Sequence, residues 1–235
     1  MALRFEELAW RDTPMGEISL RRRVEPALGV DVYEVKLGDE YLMSSLFTVA
    51  EVALATLGLA EVTADLLDVV VGGLGLGYTA RAALTDPRVA SLNVVEALSD
   101  VIDWHRRGVL PMAESMNADQ RCHLVEGDFF AMVRAGSFGP SVPALLHAVL
   151  LDIDHTPRHV LHPSHADFYS VDGLRRLAAL LHPGGVFALW SDTPPDDEFM
   201  ASMGAVFTAP TAHVVDFANP LTSGTSSNTV YVGVR

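Results

Sequence analysis

The sequence predicts an α/β protein, a doubly wound and mostly parallel sheet of seven strands with a small N-terminal β-hairpin piece. Three observations carry this. First, the apolar, β-branched run Leu66–Val71 leads through Gly72, Gly73, Gly75 and Gly77 into an alanine-rich helical segment ending near Leu84. That order of strand, glycine turn and helix brings backbone N–H groups close to a ligand. Second, strand-like and helix-like runs alternate from there to Trp190 at the spacing of βαβ units. Third, the tail carries two alternating segments, TAHVVDF and TVYVGVR, that fit a terminal antiparallel pair. The reading divides the chain into an N-terminal hairpin-and-helix extension, residues 1–58, and a sheet domain, residues 59–235.

In chain order, MGEISLRRRV and VDVYEVKLG alternate polar with apolar residues around the turn VEPALG, predicting a hairpin. The cluster Arg21-Arg22-Arg23 reads as a solvated strand end in preference to an anion patch. A helix follows over 47–57, stopped by Gly58 and apolar on most faces, which suits packing between layers or subunits. Beyond the glycine turn, a second strand ends at Glu96, and Ser99 is placed to cap the helix after it, with acids early and Arg106 and Arg107 late. A third strand ends at Asp128. A fourth, nearly continuous in apolar residues, ends at Asp152 and Asp154. Helix 170–181 and the strand VFALW complete the alternation.

Bulk composition narrows the function. With 30 acidic against 16 basic side chains and a formal net charge of −14, the chain lacks the basic face that nucleic acid requires, and it is compatible with a cationic substrate. Its single cysteine, Cys122, allows no intrachain disulfide and reads as a small buried residue. No apolar run approaches the roughly 20 residues that span a bilayer, and the charged first 14 residues lack a signal-peptide core. The expectation is a cytoplasmic protein with neither membrane nor nucleic-acid partner.

Ligands of open α/β sheets bind outside the carboxyl ends of the strands. Four such ends carry informative residues: the glycines, then Glu96, then Asp128, then Asp152 with Asp154. Glu96 lies 19 residues after Gly77, the reach of a carboxylate that accepts ribose hydroxyls. Asp128 can accept from an exocyclic amine. Each acid also has a plainer reading as a helix cap. Gly75-x-Gly77-x-x-Ala80 fits the dinucleotide fingerprint too, so a nicotinamide-dependent oxidoreductase is a rival, although it leaves Gly127-Asp128 and the carboxylates after the fourth strand without a role.

Taken together, these residues resemble the spermidine synthase-like (polyamine aminopropyltransferase-related) branch of class I S-adenosylmethionine-dependent transferases. The resemblance is tight from Val69 to Trp190 and loose over the hairpin. The family's GGGDGG lines up with Gly72–Gly77, and its EIDPEVI with Glu96–Ile102. Its Gly-Asp matches Gly127 and Asp128, its YDVIIVDSSDP resembles Leu146–Thr156, and its EEFYELLKRALKPGG the segment from Phe168 through Gly185. The resemblance implies a Rossmann-like methyltransferase sheet and a homodimer. It also implies an S-adenosylmethionine-type cofactor, intact or decarboxylated, held by Gly73, Gly75, Gly77, Glu96 and Asp128. It further implies that Asp152 holds and deprotonates an attacking amine, with Asp154 the neighbouring acid. An alkylammonium of pKa about 10.4 has no lone pair, and keeping it neutral near pH 7.4 costs about 4 kcal/mol at roughly 1.36 kcal/mol per pKa unit. A carboxylate meets that need.

The departures point to the donor. The family's aspartate within GGGDGG, which pairs with the amino group of the decarboxylated donor, falls on Gly75. Glycine removes the repulsion toward an intact donor's carboxylate and opens room for it at the helix N-terminus. The family's glutamine after the hairpin is not evident near Leu42 and Met43. Methyl transfer to a small, amine-bearing acceptor is therefore the favoured expectation, with aminopropyl transfer as its alternative and a non-catalytic scaffold as a further rival. The histidines at 155, 159, 162 and 165 are interrupted by Pro157 and Pro163, so a substrate-facing role is preferred to a metal site. Trp190 and Ser191, at the end of the fifth strand, are placed to line an acceptor pocket, with core packing the plainer reading for Trp190.

Overall fold

A computed structural model describes residues 5–13 and 15–235. The chain opens with an antiparallel sheet, β1 (Phe5–Thr13), β2 (Gly16–Glu25), β3 (Val30–Leu37) and β4 (Glu40–Ser44), in that order. Four strands stand where the sequence predicts one hairpin. The added strand β1 was obscured by its charges, which lie on an exposed face and pair across it, Glu6 with Arg22 at 2.7 Å. The arginine cluster is likewise neutralised: Arg21 and Arg23 both reach Glu34, at 2.8 and 2.9 Å.

Helix α1 (Val49–Ala60) then leads to β5 (Leu67–Gly72), α2 (Tyr78–Ala83), β6 (Val89–Glu96), α3 (Ser99–Arg106), α4 (Ala113–Ala118) and β7 (Cys122–Glu126). Helix α5 (Phe129–Ala135), β8 (Leu146–Leu151), a 3-10 segment at Pro163–Tyr169, α6 (Val171–Ala178), β9 (Leu181–Ser191), α7 (Asp197–Gly204), β10 (Thr208–Asn219) and β11 (Gly224–Val234) complete it. The seven-stranded sheet has the order β10-β11-β9-β8-β5-β6-β7, parallel from β9 to β7 and antiparallel at β11 and β10. Strands after β5 first run to one side, then cross to β8 on the other, so the topological switch point lies between β5 and β8.

Alternation along each central strand divides the core. Val69 and Val71 face a layer containing α1 to α4, which also takes in Ile18, Leu20 and Val35 of the small sheet. Val70 faces the layer of α5, α6 and α7. Burial on both faces is why these strands read as continuous apolar runs.

Two local expectations are corrected. Ser99 is the first residue of α3 and caps nothing; the Leu98 N–H ahead of it donates to Glu96 at 2.9 Å. Gly58 does not stop α1 but lies within it, where the helix presses on the sheet. A Cβ there would lie 2.8 Å from Leu150 Cδ2 and 3.0 Å from Ala188 Cβ. Among the described residues no helix is long and apolar enough to cross a membrane.

The close seat of α1 generates a prediction. Gly58→Val should force the helix away from β8 and β9 and lower stability by about 1–3 kcal/mol, the usual cost of overpacking. Urea unfolding measures it, and an unchanged midpoint would mean that α1 is not seated as described.

Candidate active site

At the carboxyl ends of the parallel strands, over the switch point, lies a cavity of about 510 Å³. Its walls come from both sides of that point and from the small sheet above. On the β5-β6-β7 side stand the glycine turn, Glu96, Val101 and the Gly127–Asp128 turn with Phe129 and Phe130. On the β8-β9-β11-β10 side stand Asp152, His155, Trp190, Asn228 and Phe217, joined by Phe47 and Glu51 from the start of α1. Strands β3 and β4 close it with Val35, Leu37, Leu42 and Met43.

The glycine turn is shaped by backbone contact. Gly73 has φ +94°, and a Cβ there would fall on the Asp152 carbonyl oxygen. Glycine alone lets β5 and β8 splay this closely. Four of the five amides from 73 to 77 already have a partner. Gly73 N–H donates to Val95 O at 2.9 Å and Gly77 N–H to Leu74 O at 2.8 Å. Leu74 N–H donates to Glu96 at 3.1 Å, and Leu76 N–H meets the Met43 sulfur at 2.7 Å. Gly75 O in turn accepts from His105 Nε2 at 2.8 Å. Burial pushes the His105 pKa down, so a neutral ring donates that bond.

This corrects the expectation at Gly75. A Cβ added there would collide with the Met43 side chain. The space left by the missing aspartate is filled by the Met43 thioether.

Glu96 stays in the cavity wall, its two oxygens taking the Leu74 and Leu98 amides. Burial raises its pKa and these amides oppose the rise. Asp128 lines the cavity and also caps α5, its Oδ1 accepting from Ala131 N–H at 3.0 Å. The cap reading and the ligand reading therefore meet in one residue. Gly73 and Gly75 line the cavity, whereas Gly77 sits behind them against His105 and Met116 as the left-handed cap of α2.

Asp152 and Asp154 separate. Asp152 lies in the wall, Oδ2 held by the Thr79 hydroxyl at 2.6 Å. Burial pushes its pKa up to about 6, and the Thr79 bond works against that shift. Asp154 is turned away and 1% exposed. It accepts from Leu161 N–H at 2.7 Å and Tyr169 OH at 2.8 Å and bonds His165 Nδ1 at 2.9 Å. With its oxygens engaged and no face on the cavity, it anchors the loop 155–169 and has no reach to a substrate.

One acid escaped the sequence reading. Glu51 projects from α1 into the cavity, and burial together with the charge on Asp152 pushes its pKa up to about 8. The available signal was an acid within an otherwise apolar helix. Thr79, on the first turn of α2, gave none. The histidines pack in pairs, His155 on His159 with centroids 5.0 Å apart and His162 on His165 at 5.8 Å, and His155, His162 and His165 line the cavity; His165 also stacks on Phe130 at 3.9 Å, His162 bonds Ser164, and His155 lies 3.6 Å from Asp192. Among the described residues no group of three or more His, Cys, Asp or Glu side chains is placed to hold a metal. Trp190 lines the cavity while its buried Nε1 has no partner. Cys122, its pKa pushed up to about 11 by burial, is poorly suited to act as a nucleophile.

No family model matches the sequence, and neither does any curated protein. Solved structures do match. The spermidine synthase of Thermotoga maritima aligns with a TM-score of 0.73 at 16% identity, over 97% of this chain and 72% of that one. A spermidine synthase in complex with the transition-state analogue AdoDATO aligns with a TM-score of 0.73 at 15% identity, over 97% and 73%. The chain has the spermidine synthase fold, including the Rossmann-like sheet and the antiparallel N-terminal sheet.

The raised pKa of Glu51 fixes the sign of a pH effect. An unfolded glutamate ionises near 4.5, while the folded one keeps its proton to about 8. Stability from this group is thus complete below pH 4.5 and lost as pH rises to 8. Glu51→Gln should therefore match the parent at pH 4 and exceed it above pH 8 by about 1–3 kcal/mol, a figure discounted for contact with cavity water. Unfolding curves across that range check it, and equal stability at both ends would refute the burial.

Proposed function

We propose that the chain is a transferase that alkylates a small amine from an S-adenosylmethionine-type donor, and that the group moved is aminopropyl, from decarboxylated S-adenosylmethionine. The observation that carries this is one cavity at the switch point with two unlike ends. Glu96 and the Gly127–Asp128 turn wall one end; the desolvated carboxyls Glu51 and Asp152 stand at the other. Glu96 suits ribose hydroxyls, Asp128 an exocyclic amine, and Val101, Phe129 and Phe130 an apolar purine. A nicotinamide reading leaves the carboxyl pair without a task.

Aminopropyl transfer is supported over the methyl transfer expected from Gly75. The two solved structures compared above are spermidine synthases. A donor carboxylate would need a cation or free amides. Among the described residues no Lys or Arg lines the cavity, and four of the five turn amides are taken. A donor bearing only an ammonium meets an acidic cavity instead, with Glu51, Glu96, Asp128 and Asp152 in its walls.

When bound, such a donor supplies an electrophilic carbon on a sulfonium. The chain's part is to hold the amine and take its proton. With Oδ2 engaged by Thr79, Asp152 presents Oδ1 to the ammonium. A carboxyl whose pKa is raised toward neutrality is a stronger base than an ordinary one and still releases its proton afterwards.

Calorimetry with the two donors tests the reading: the decarboxylated donor should bind at least about tenfold more tightly. Met43→Ala, which frees the Leu76 amide and the space at Gly75, should narrow that ratio. Tighter binding of the intact donor would overturn aminopropyl transfer. Asp152→Asn should lower kcat by about 10²–10⁴-fold while sparing donor affinity. Full activity in that variant would remove Asp152 from the mechanism.

A further inference from the structure

We infer that the acceptor side of the cavity ends at Asn228, on the β10–β11 hairpin, and that this carboxamide selects an acceptor bearing a hydroxyl or an amide at the end opposite its amine. The inference rests on the site reading above and deepens it.

Strand register places the groups. Asp152, which follows Leu151, is held by Thr79 of α2, on the side of the sheet that α1 to α4 cover. Leu151 pairs with Leu189, so Trp190 on β9 stands level with Asp152. Trp190 pairs in turn with Val230 of β11, and both pack on that same side. Asn228 precedes Val230 by two residues and so shares its face. Val215, opposite Asn228 on β10, packs there too, and Phe217 follows it by two. Phe217 closes this end against Phe47, ring centroids 5.6 Å apart. Beyond Thr229 the hairpin no longer pairs with β9, and from this outlying arm Asn228 and Phe217 enter the cavity wall.

Besides the acids and Trp190, the polar side chains in that wall are Ser44, His155, His162, Ser164, His165 and Asn228. Five of them are engaged within the chain. Ser44 Oγ accepts from Leu46 N–H at 3.3 Å, His162 Nδ1 and Ser164 Oγ lie 2.8 Å apart, and His165 Nδ1 bonds Asp154 at 2.9 Å. His155 stands between Glu40 and Asp192. Asn228 differs: among the described residues its carboxamide has no hydrogen-bond partner, although it lines the cavity. Its neighbours on the hairpin are paired, Asn219 with Ser226 at 2.9 Å and Thr229 with Thr193 O at 2.6 Å. A carboxamide both donates and accepts. A hydroxyl or an amide does the same and satisfies it in both directions, whereas a hydrocarbon end displaces its water and returns nothing.

The register also sets a length. From Asp152 to Asn228 is two strand spacings across and two residues along, about 12 Å. Hydrogen bonds of about 2.9 Å at each end leave a span that a chain of about four carbons fills. Such a chain passes Trp190 and buries its methylenes there.

Calorimetry on the full chain decides it, using 4-aminobutan-1-ol and pentylamine, which has a methyl in place of the hydroxyl, each with and without methylthioadenosine. The amino alcohol should bind about fivefold more tightly than pentylamine. Asn228→Leu should erase or reverse that preference while leaving methylthioadenosine affinity within about twofold, and Asn228→Ala serves if the first variant does not fold. Equal or tighter binding of pentylamine by the parent would overturn the inference. So would a preference that survives in both variants, or failure of both amines to bind. Methylthioadenosine titrated alone reads the donor side: if it fails to bind, the donor reading falls, while the comparison of the two amines still decides the role of Asn228.

Discussion

Asp152 sits at the junction of β8 with the cavity, its backbone N–H tied to Gly72 O at 2.8 Å and its side chain held by one hydroxyl. A carboxyl so placed keeps its charge only with help, and the surroundings supply little: one Thr79 bond, a second acid from α1 and, among the described residues, no cation in the cavity wall. Burial opposes ionisation at both acids, so neither is an ordinary surface carboxylate. The remaining features of the site follow from holding this pair in place. Gly73 admits the Asp152 carbonyl, Gly58 seats the helix that carries Glu51, and Asp154 fixes the loop that follows.

The sheet order explains why chemistry gathers here. Because the chain runs outward from β5 on one side and returns to β8 on the other, the loops diverge and leave a crevice between them. Residues after β6 and β7 line one end, and residues after β8 and β9 line the other. The small N-terminal sheet then covers the crevice with Val35, Leu37 and Leu42, displacing water from the carboxyl pair. The same cover brings Met43 onto the glycine turn. One structural choice thus makes the carboxyls basic and also occupies the Leu76 amide of the turn.

Much of this was legible in the sequence, and the gaps have physical causes. Leu66–Leu84, Glu96, Asp128 and Asp152 could be placed because strand ends in a doubly wound sheet are set by local pattern and by one topological rule. Gly75 misled because the atom that fills its neighbourhood comes from Met43, 32 residues upstream, through a contact no local pattern reveals. Glu51 was hidden for the opposite reason: its helix is apolar enough to read as core, and only the fold turns that one position toward the cavity. Asp152 and Asp154 looked alike on paper. They point apart because the chain leaves the strand after Leu151, so the alternation that would have set their sides no longer applies. The charges of β1 concealed a strand, since their partners on β2 lie across the sheet.

The central claim is that Asp152 draws a proton from an amine as that amine displaces a thioether from an aminopropyl group. Product analysis tests it most directly. The chain is incubated with a panel of small primary amines and diamines and with each sulfonium donor in turn, and the nucleoside released is identified by mass spectrometry. The account predicts methylthioadenosine from the decarboxylated donor, formed together with an aminopropylated amine. Release of S-adenosylhomocysteine from the intact donor with a methylated amine, and no methylthioadenosine, would contradict it.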